Sequence, residues 1–324
     1  MIRRRQCTTP NRIDIHLFSL LTSLLLLTGL TATAQPASRA TPSLSGTFQF
    51  NGTTRTYVLH LPATYGQHKQ RVPLVLAFHG GGGRSGRFET LSRLSEEADK
   101  EGFIVVYPDG MLSQGALSIR TWNAGKCCNP KASLGRQADD VGFVSALIDD
   151  LAKTYRIDTK RVYATGHSNG AMFCYRLACE LSGKIAAIAP NAGTIQLQQP
   201  CQPARPVPVL HFHSKLDKNV PYQGGFGSRG ISNQWNPSVD STLSVFGNLA
   251  HQKATRQTVE TTPVYTHYRW TKGDSNVSVE CYLTEDGGHS WPGGNQGAVL
   301  SSDPPSSLPA NDLMWAFFKR YTIP

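Results

Sequence analysis

Acidic side chains are scarce in this 324-residue sequence: 22 aspartates and glutamates stand against 32 lysines and arginines, a formal charge of +10. No Lys/Arg block with interleaved aromatics is present, so the excess does not have the form a nucleic-acid groove needs, and that class is set aside. A membrane span is also missing. The apolar run Leu17–Leu30 is interrupted by Ser19, Thr22, Ser23 and Thr28 and falls short of the roughly 20 residues a bilayer requires. Cysteine pairs at C-x-x-C spacing, the usual mark of structural zinc, do not occur at Cys127-Cys128 or Cys174/Cys179. No Gly-Lys-Ser/Thr follows the glycines at 80–83, which argues against a phosphate loop, and no internal repeat is apparent.

What is present begins with an export signature. Met-Ile-Arg-Arg-Arg, the apolar run and Ala32-Thr33-Ala34 have the three-part layout of a secretory signal, with cleavage expected after Ala34 and no stable membrane anchor left behind. Residues 1–34 carry four arginines and Asp14, so the charge without them falls to +7. Cys7 leaves with that segment. The six remaining cysteines are an even number in a chain bound for an oxidising compartment, which favours disulfides, although spacing alone leaves fifteen pairings open. Periplasm and medium are equally compatible destinations.

With 39% hydrophobic residues the chain can bury a sizeable core, and the expectation is one catalytic domain over residues 47–324 after a flexible, proline-containing lead-in at 35–46. Residues 48–61 are β-rich around Asn51-Gly52, a hairpin signal. Continuous apolar runs at 72–78, 103–107, 161–165, 185–189 and 207–212 suit strands buried on both faces of a parallel sheet. Helical spacing lies between them at 88–100, 139–155 and 169–181, and again at 311–321. The alternation predicts an α/β fold: a mostly parallel sheet covered on both faces, preceded by an antiparallel hairpin. Residues 111–138 and 221–262, rich in Gly, Ser, Asn and Gln, are expected as loops bordering the site.

The chemistry centres on Gly166-His167-Ser168-Asn169-Gly170, which follows a strand and opens a helix as a nucleophile elbow requires. A bland alternative is that Ser168 merely caps that helix. A serine hydroxyl needs a base to take its proton and an acid to hold the base, arriving later in the chain in the order acid, then histidine. Asp217, five residues beyond the 207–212 strand, and His289, preceded by Gly287-Gly288, fit those roles. Asp240, Asp274 and Asp286 compete for the acid, and His251 and His267 for the base. His211 and His213 alternate on one strand and could be metal ligands, but with no third ligand nearby they read as packed histidines beneath the acid loop. The oxyanion donors are expected to be the amides of Asn169 and of Gly81, in His79-Gly80-Gly81-Gly82-Gly83, with Gly82 behind it. Trp122, Trp291 and His79 are the candidate substrate-contacting side chains, against the alternative that the tryptophans are core residues.

Five blocks taken together carry a resemblance: 79–82 (His-Gly-Gly-Gly), 122–128 (Trp-Asn-Ala-Gly-Lys-Cys-Cys), 139–143 (Asp-Asp-Val-Gly-Phe), 166–170 and 287–294 (Gly-Gly-His-Ser-Trp-Pro-Gly-Gly). In this order they resemble the secreted polyhydroxybutyrate depolymerase and feruloyl esterase-like family of α/β-hydrolases, over the chain from about residue 47 to its end. The resemblance implies a Ser/Asp/His triad at Ser168, Asp217 and His289, without metal or organic cofactor, and a Cys179–Cys201 disulfide. Cys127, Cys128, Cys174 and Cys281 stay unassigned. Ser214 stands where such sequences usually carry glycine, and residues 224–256 do not align, which points to them as shaping the acyl or alcohol pocket. The expected function is a monomeric serine esterase on feruloyl or acetyl esters of plant-wall polysaccharide. A polyhydroxyalkanoate depolymerase and an inactive carbohydrate-binding or surface protein are the alternatives.

Overall fold

The computed structural model describes residues 42–324 except 68, 114–117, 129–137, 231–232, 252, 273–275 and 297–302. Its contacts divide the chain into residues 1–38 and 39–324; the first unit, and with it the expected signal segment, lies outside the described residues.

Strands β1 (Leu44–Phe50) and β2 (Thr53–His60) pair antiparallel around Asn51 and Gly52, whose φ values of 49° and 74° are those a tight two-residue hairpin turn demands. Pairing with β2 begins at Leu44, opposite Leu59. β3 (Val72–Phe78) is the first fully apolar strand. The single helix expected at 88–100 is two, α1 (Ser85–Ser92) and α2 (Leu94–Glu101), broken at Arg93, whose φ of 56° ends the first. The apolar spacing continues across the break, so periodicity hid it.

β4 (Ile104–Pro108) precedes a small ribbon, β5 (Met111–Leu112) with β6 (Arg120–Thr121). α3 (Asp140–Thr154) is capped by the Asp139 carboxylate, which accepts from the Gly142 amide at 2.8 Å. Its first residue, Asp140, is buried against Arg55 of β2 at 2.9 Å and accepts from the Asn123 amide, so an ion pair inside the protein ties the hairpin to α3. β7 (Ile157–His167) runs directly into α4 (Asn169–Glu180). β8 (Ala187–Asn191) and β9 (Val209–Ser214) follow, then a second ribbon of β10 (Gly225–Phe226) and β11 (Trp235–Asn236).

Residues 221–262 are not only loop. They hold α5 (Val239–His251), with Val239, Thr242, Leu243 and Phe246 turned inward, and β12 (Thr255–Thr261). Polar residues on the outer face, Ser241 and Asn248 among them, diluted the helical pattern. β13 (Tyr265–Thr271), β14 (Val279–Thr284) and α6 (Ala310–Phe318) complete the chain.

Among the described residues the large sheet has ten strands, in the order β1-β2-β4-β3-β7-β8-β9-β14-β13-β12. The six from β4 to β14 run parallel, with an antiparallel pair at either edge. The alternation of β3 divides the core in two. Leu74, Leu76 and Phe78 join α3, α4 and α5 on one face, and Val75 and Ala77 join α1, α2 and α6 on the other. One disulfide, Cys179–Cys201, ties the end of α4 to the approach to β9; a second joins neighbours Cys127 and Cys128, while Cys174 and Cys281 are free and buried.

The join of β7 to α4 has no spare room. A β-carbon at Gly170 would sit 2.2 Å from the Phe78 carbonyl oxygen, which no side chain can yield to because it is backbone. Gly170→Ala should therefore destabilise by about 2–3 kcal/mol, as overpacked cores do, and lower the melting temperature by roughly 5 °C or more. Gly183→Ala, where a β-carbon meets nothing within 4 Å, is the control and should leave it near wild type. Equal melting temperatures for the two variants would contradict the packing argument.

Candidate active site

Ser168 is the single residue between β7 and α4, with φ 56° and ψ −120°. That backbone costs on the order of 1–3 kcal/mol for a residue with a β-carbon, and it persists because the surroundings fix it. The Ser168 amide donates to the Asn191 carbonyl at the end of β8 at 2.9 Å, and its own carbonyl accepts from Met172 inside α4 at 3.0 Å. Its hydroxyl makes no capping bond to the helix, so the helix-cap alternative does not describe it. Ser168 lines a cavity of about 180 Å³ that His289 also lines.

The loop after β9 brings Asp217 against the loop after β14, where His289 sits. His289 Nδ1 lies 2.8 Å from Asp217 Oδ2, both side chains being almost fully buried. The other carboxylate oxygen accepts from the amides of Asn219 and Val220, each at 2.8 Å. Burial alone would raise this carboxyl, but His289, its hydrogen bond, His213 and the amide donors outweigh it and bring it down to about 2. Asp217 is thus a fixed anion that orients one imidazole. The competing acids have other partners: Asp240 accepts from Tyr222 and Arg256, and Asp286 from Ser306 and Ser307. Asp274 lies outside the described residues. His267 is bonded to Glu280, and neither it nor His251 lines the cavity.

Beneath the acid loop the paired histidines form a one-way chain. Tyr175 donates to His211 Nδ1 at 2.8 Å, His211 Nε2 to His213 Nδ1 at 3.0 Å, and His213 Nε2 to the Val220 carbonyl at 2.8 Å. This assignment of tautomers satisfies every nitrogen with both rings neutral, and burial lowers both pKa values in agreement. His167, its ring 4.6 Å from that of His289, is pushed down to about 3, first by burial and then by His289.

Around the glycine loop the amides divide unequally. Gly82 donates to the Arg120 carbonyl at 2.8 Å and Gly83 to Gly80 at 2.9 Å, whereas the Gly81 amide has no acceptor among the described residues and Gly81 lines the cavity. Asn169 opens α4, so its amide is among those without an intrahelical partner.

The three expected substrate contacts fare differently. Trp122 is fully buried below the cavity and does not line it; it stacks on Phe173, donates Nε1 to the His79 carbonyl, and exchanges two hydrogen bonds with the Asn169 amide side chain. It is a core residue that holds the start of α4. His79 lines the cavity, yet its Nδ1 donates to Gly80 and its Nε2 accepts from Gly110, so neither nitrogen remains for a substrate. Trp291 lines the wall edge-on to Phe88, ring centres 5.5 Å apart. From the unaligned stretch, Gly230, Gln234 and Asn236 reach the cavity.

Two residues outside the expected triad hold the histidine loop. Ser214 donates its hydroxyl to the Asp286 carbonyl at 2.9 Å and accepts from the Leu216 amide at 3.0 Å, so the residue in place of glycine links the acid and histidine loops. Asp303 accepts from the His289 amide at 2.8 Å and pairs with Arg229 at 3.0 Å. Nothing in the local sequence around Asp303 marks it.

A profile of the family described as Esterase PHB depolymerase matches residues 55–200, the stretch that holds the glycine loop and Ser168. A bifunctional acetylxylan esterase/xylanase of Neocallimastix patriciarum is 30% identical over 253 residues, covering 78% of this chain and 31% of that protein. Feruloyl esterase B of Piromyces equi is 33% identical over 175 residues, covering 53% of this chain and 31% of its own length. The chain thus spans about a third of the length of these two curated relatives. The solved acetyl xylan esterase of Aspergillus awamori superposes with a TM-score of 0.56 at 16% identity, over 86% of this chain and 99% of that one, which shows the shared α/β-hydrolase fold.

Two outcomes follow from this geometry. Because the Asp217 pKa is depressed from 3.8, its contribution to stability is present above that value and disappears as pH falls through about 2. The stability gap between wild type and Asp217→Asn should therefore narrow between about pH 4 and pH 2 in thermal melts; a constant gap would remove the carboxylate as its source. Asp303→Ala should lower kcat by about 10- to 100-fold by releasing the His289 amide, with Asp303→Asn recovering part of the loss. Unchanged kcat in Asp303→Ala would deny it that holding role.

Proposed function

The chain belongs to the polyhydroxybutyrate depolymerase and feruloyl esterase-like family of α/β-hydrolases, and on that footing we propose that it is a secreted serine esterase working through an acyl-enzyme on Ser168. The contact between His289 Nδ1 and Asp217 carries the reading. It commits the Nδ1 proton to the carboxylate and leaves Nε2 as the acceptor that general-base catalysis needs, on a ring that lines the same cavity as Ser168.

In the reaction so read, the Ser168 hydroxyl oxygen bonds to the ester carbonyl carbon as its proton passes to His289 Nε2. The carbonyl oxygen becomes an anion, and the amides of Asn169 and Gly81 donate to it; Gly81 is preferred over Gly82 because the Gly82 amide is already committed to Arg120. Collapse breaks the bond to the alcohol, which leaves with the proton from His289. Water then repeats the sequence on the acyl-serine and restores the hydroxyl.

The relatives named as acetylxylan and feruloyl esterases support carboxylic esters of plant-wall polysaccharide as substrates. The cavity is consistent with that use. At about 180 Å³ it is smaller than the roughly 300–1,000 Å³ that encloses a drug-sized ligand, so it suits the acyl group beside the scissile bond while the rest of a polymer lies outside. The name of the family profile supports the second reading, polyhydroxyalkanoate hydrolysis by the same triad. The disulfides fit an oxidising compartment and thus export.

Ser168→Ala should lose about 10³-fold or more in para-nitrophenyl ester turnover and all labelling by a fluorophosphonate probe. Retained turnover in that variant refutes the nucleophile assignment, and wild-type protein that neither turns over nor labels would favour a non-catalytic carbohydrate-binding role. Methyl ferulate, acetylated xylan and hydroxybutyrate oligomers then rank the substrates.

A further inference from the structure

The cavity is charged in a way that ester chemistry alone does not require. No aspartate or glutamate is among its described lining residues, yet two arginines are, Arg84 and Arg87. Both are exposed, and neither guanidinium has a hydrogen-bonded or ion-paired partner among the described residues. Arginines elsewhere on the surface do find carboxylates, as Arg93, Arg176 and Arg256 do with Glu96, Glu180 and Asp240.

The placement is regular. Arg84 is the residue before α1, and Arg87, Phe88 and Leu91 follow it at helical spacing, so positions 84, 87, 88 and 91 form one face that meets the cavity. Phe88 and Leu91 make that face apolar where it adjoins Trp291, and the guanidinium groups make it cationic at the rim. A ligand matched to it has an apolar body and an anionic end.

We propose that the preferred substrate of this site is an ester bearing a carboxylate, held by Arg84 and Arg87 while the apolar part lies against Phe88, Leu91 and Trp291. This deepens the esterase reading and rests on it. The carboxylate could belong to either side of the scissile bond, as a uronate on the alcohol or the free end of a hydroxyacid or diacid acyl chain, and guanidinium recognition is the same for both.

Two matched pairs of chromogenic or aromatic esters test it. Para-nitrophenyl valerate against para-nitrophenyl hydrogen glutarate places the charge on the acyl side; the methyl ester of para-acetoxybenzoic acid against para-acetoxybenzoate places it on the alcohol side. In at least one pair the anionic member should have the higher kcat/KM, and that ratio should fall by about fivefold or more in Arg84→Gln/Arg87→Gln, as two partly exposed charge contacts allow. The ratio should also shrink as salt rises from about 0.01 to 0.5 M. Because each value is a ratio within one preparation, a general loss of folding cancels. Neutral esters turned over with no anionic preference in either pair, or a preference that survives in the double variant, would overturn this inference alone. No turnover of any ester would instead overturn the esterase reading beneath it.

Discussion

The structure depends on how closely α4 can begin after β7 ends. One residue separates them, and the carbonyl of Phe78 on the adjacent β3 lies where β-carbons at 166 and 170 would have to be. Glycine at both positions lets the helix start against the sheet, and the cost is transferred to Ser168, which alone must take a positive φ. A hydroxyl held this way cannot relax into a capping bond. It stays at the C-terminal edge of the parallel strands, the edge to which the neighbouring loops also lead.

Those loops come from far apart in sequence, so something must hold their relative positions to fractions of an ångström. β9 and β14 are parallel neighbours, with Ser214 paired to Thr284, and this register brings the acid and histidine loops side by side. Ser214 then joins them directly through its hydroxyl, a link that glycine could not make. Asp303 fixes the backbone of His289 and, through Arg229, ties it to the segment that borders the cavity. The aspartate–histidine contact is thus the product of sheet register and three polar supports rather than of its two residues alone.

Legibility from sequence followed the same division. The buried strands could be read because continuous apolar runs are hard to place anywhere but in a parallel sheet, and β3 spans the very residues its run marked. Asn51-Gly52 and Gly166 to Gly170 were legible because they mark backbone geometry that few residues tolerate. The break at Arg93 was not, since a residue without special propensity adopts a left-handed φ there and the apolar spacing continues past it. α5 escaped because its outward face is built from small polar residues that also make loops. Trp122 was legible as important and misread in role: an indole beside a predicted loop suggests a binding wall, but its N–H and ring are both occupied inside the core. Ser214 was legible as a departure from glycine but not in its role, and Asp303 could not be found, because a single hydrogen-bond acceptor across tertiary space leaves no periodicity or motif.

The remaining constraint is electrostatic. Asp217 is surrounded by imidazoles: His289 at 2.8 Å, His213 at 3.6 Å, and His167 beyond the first. A base that must accept a proton would be opposed if its neighbours were already cations. Burial and the one-way hydrogen bonds from Tyr175 to Val220 keep His211 and His213 neutral, and His167, which accepts from Asn191, is held neutral in the same way. His289 is hydrogen-bonded to the carboxylate, so a positive charge formed there meets an anion while His167, His211 and His213 around it are held neutral. Arg84 and Arg87, without a carboxylate partner among the described residues, line the same cavity from α1 and the residue before it. The site thus combines a carboxylate-backed imidazole with a cationic lining.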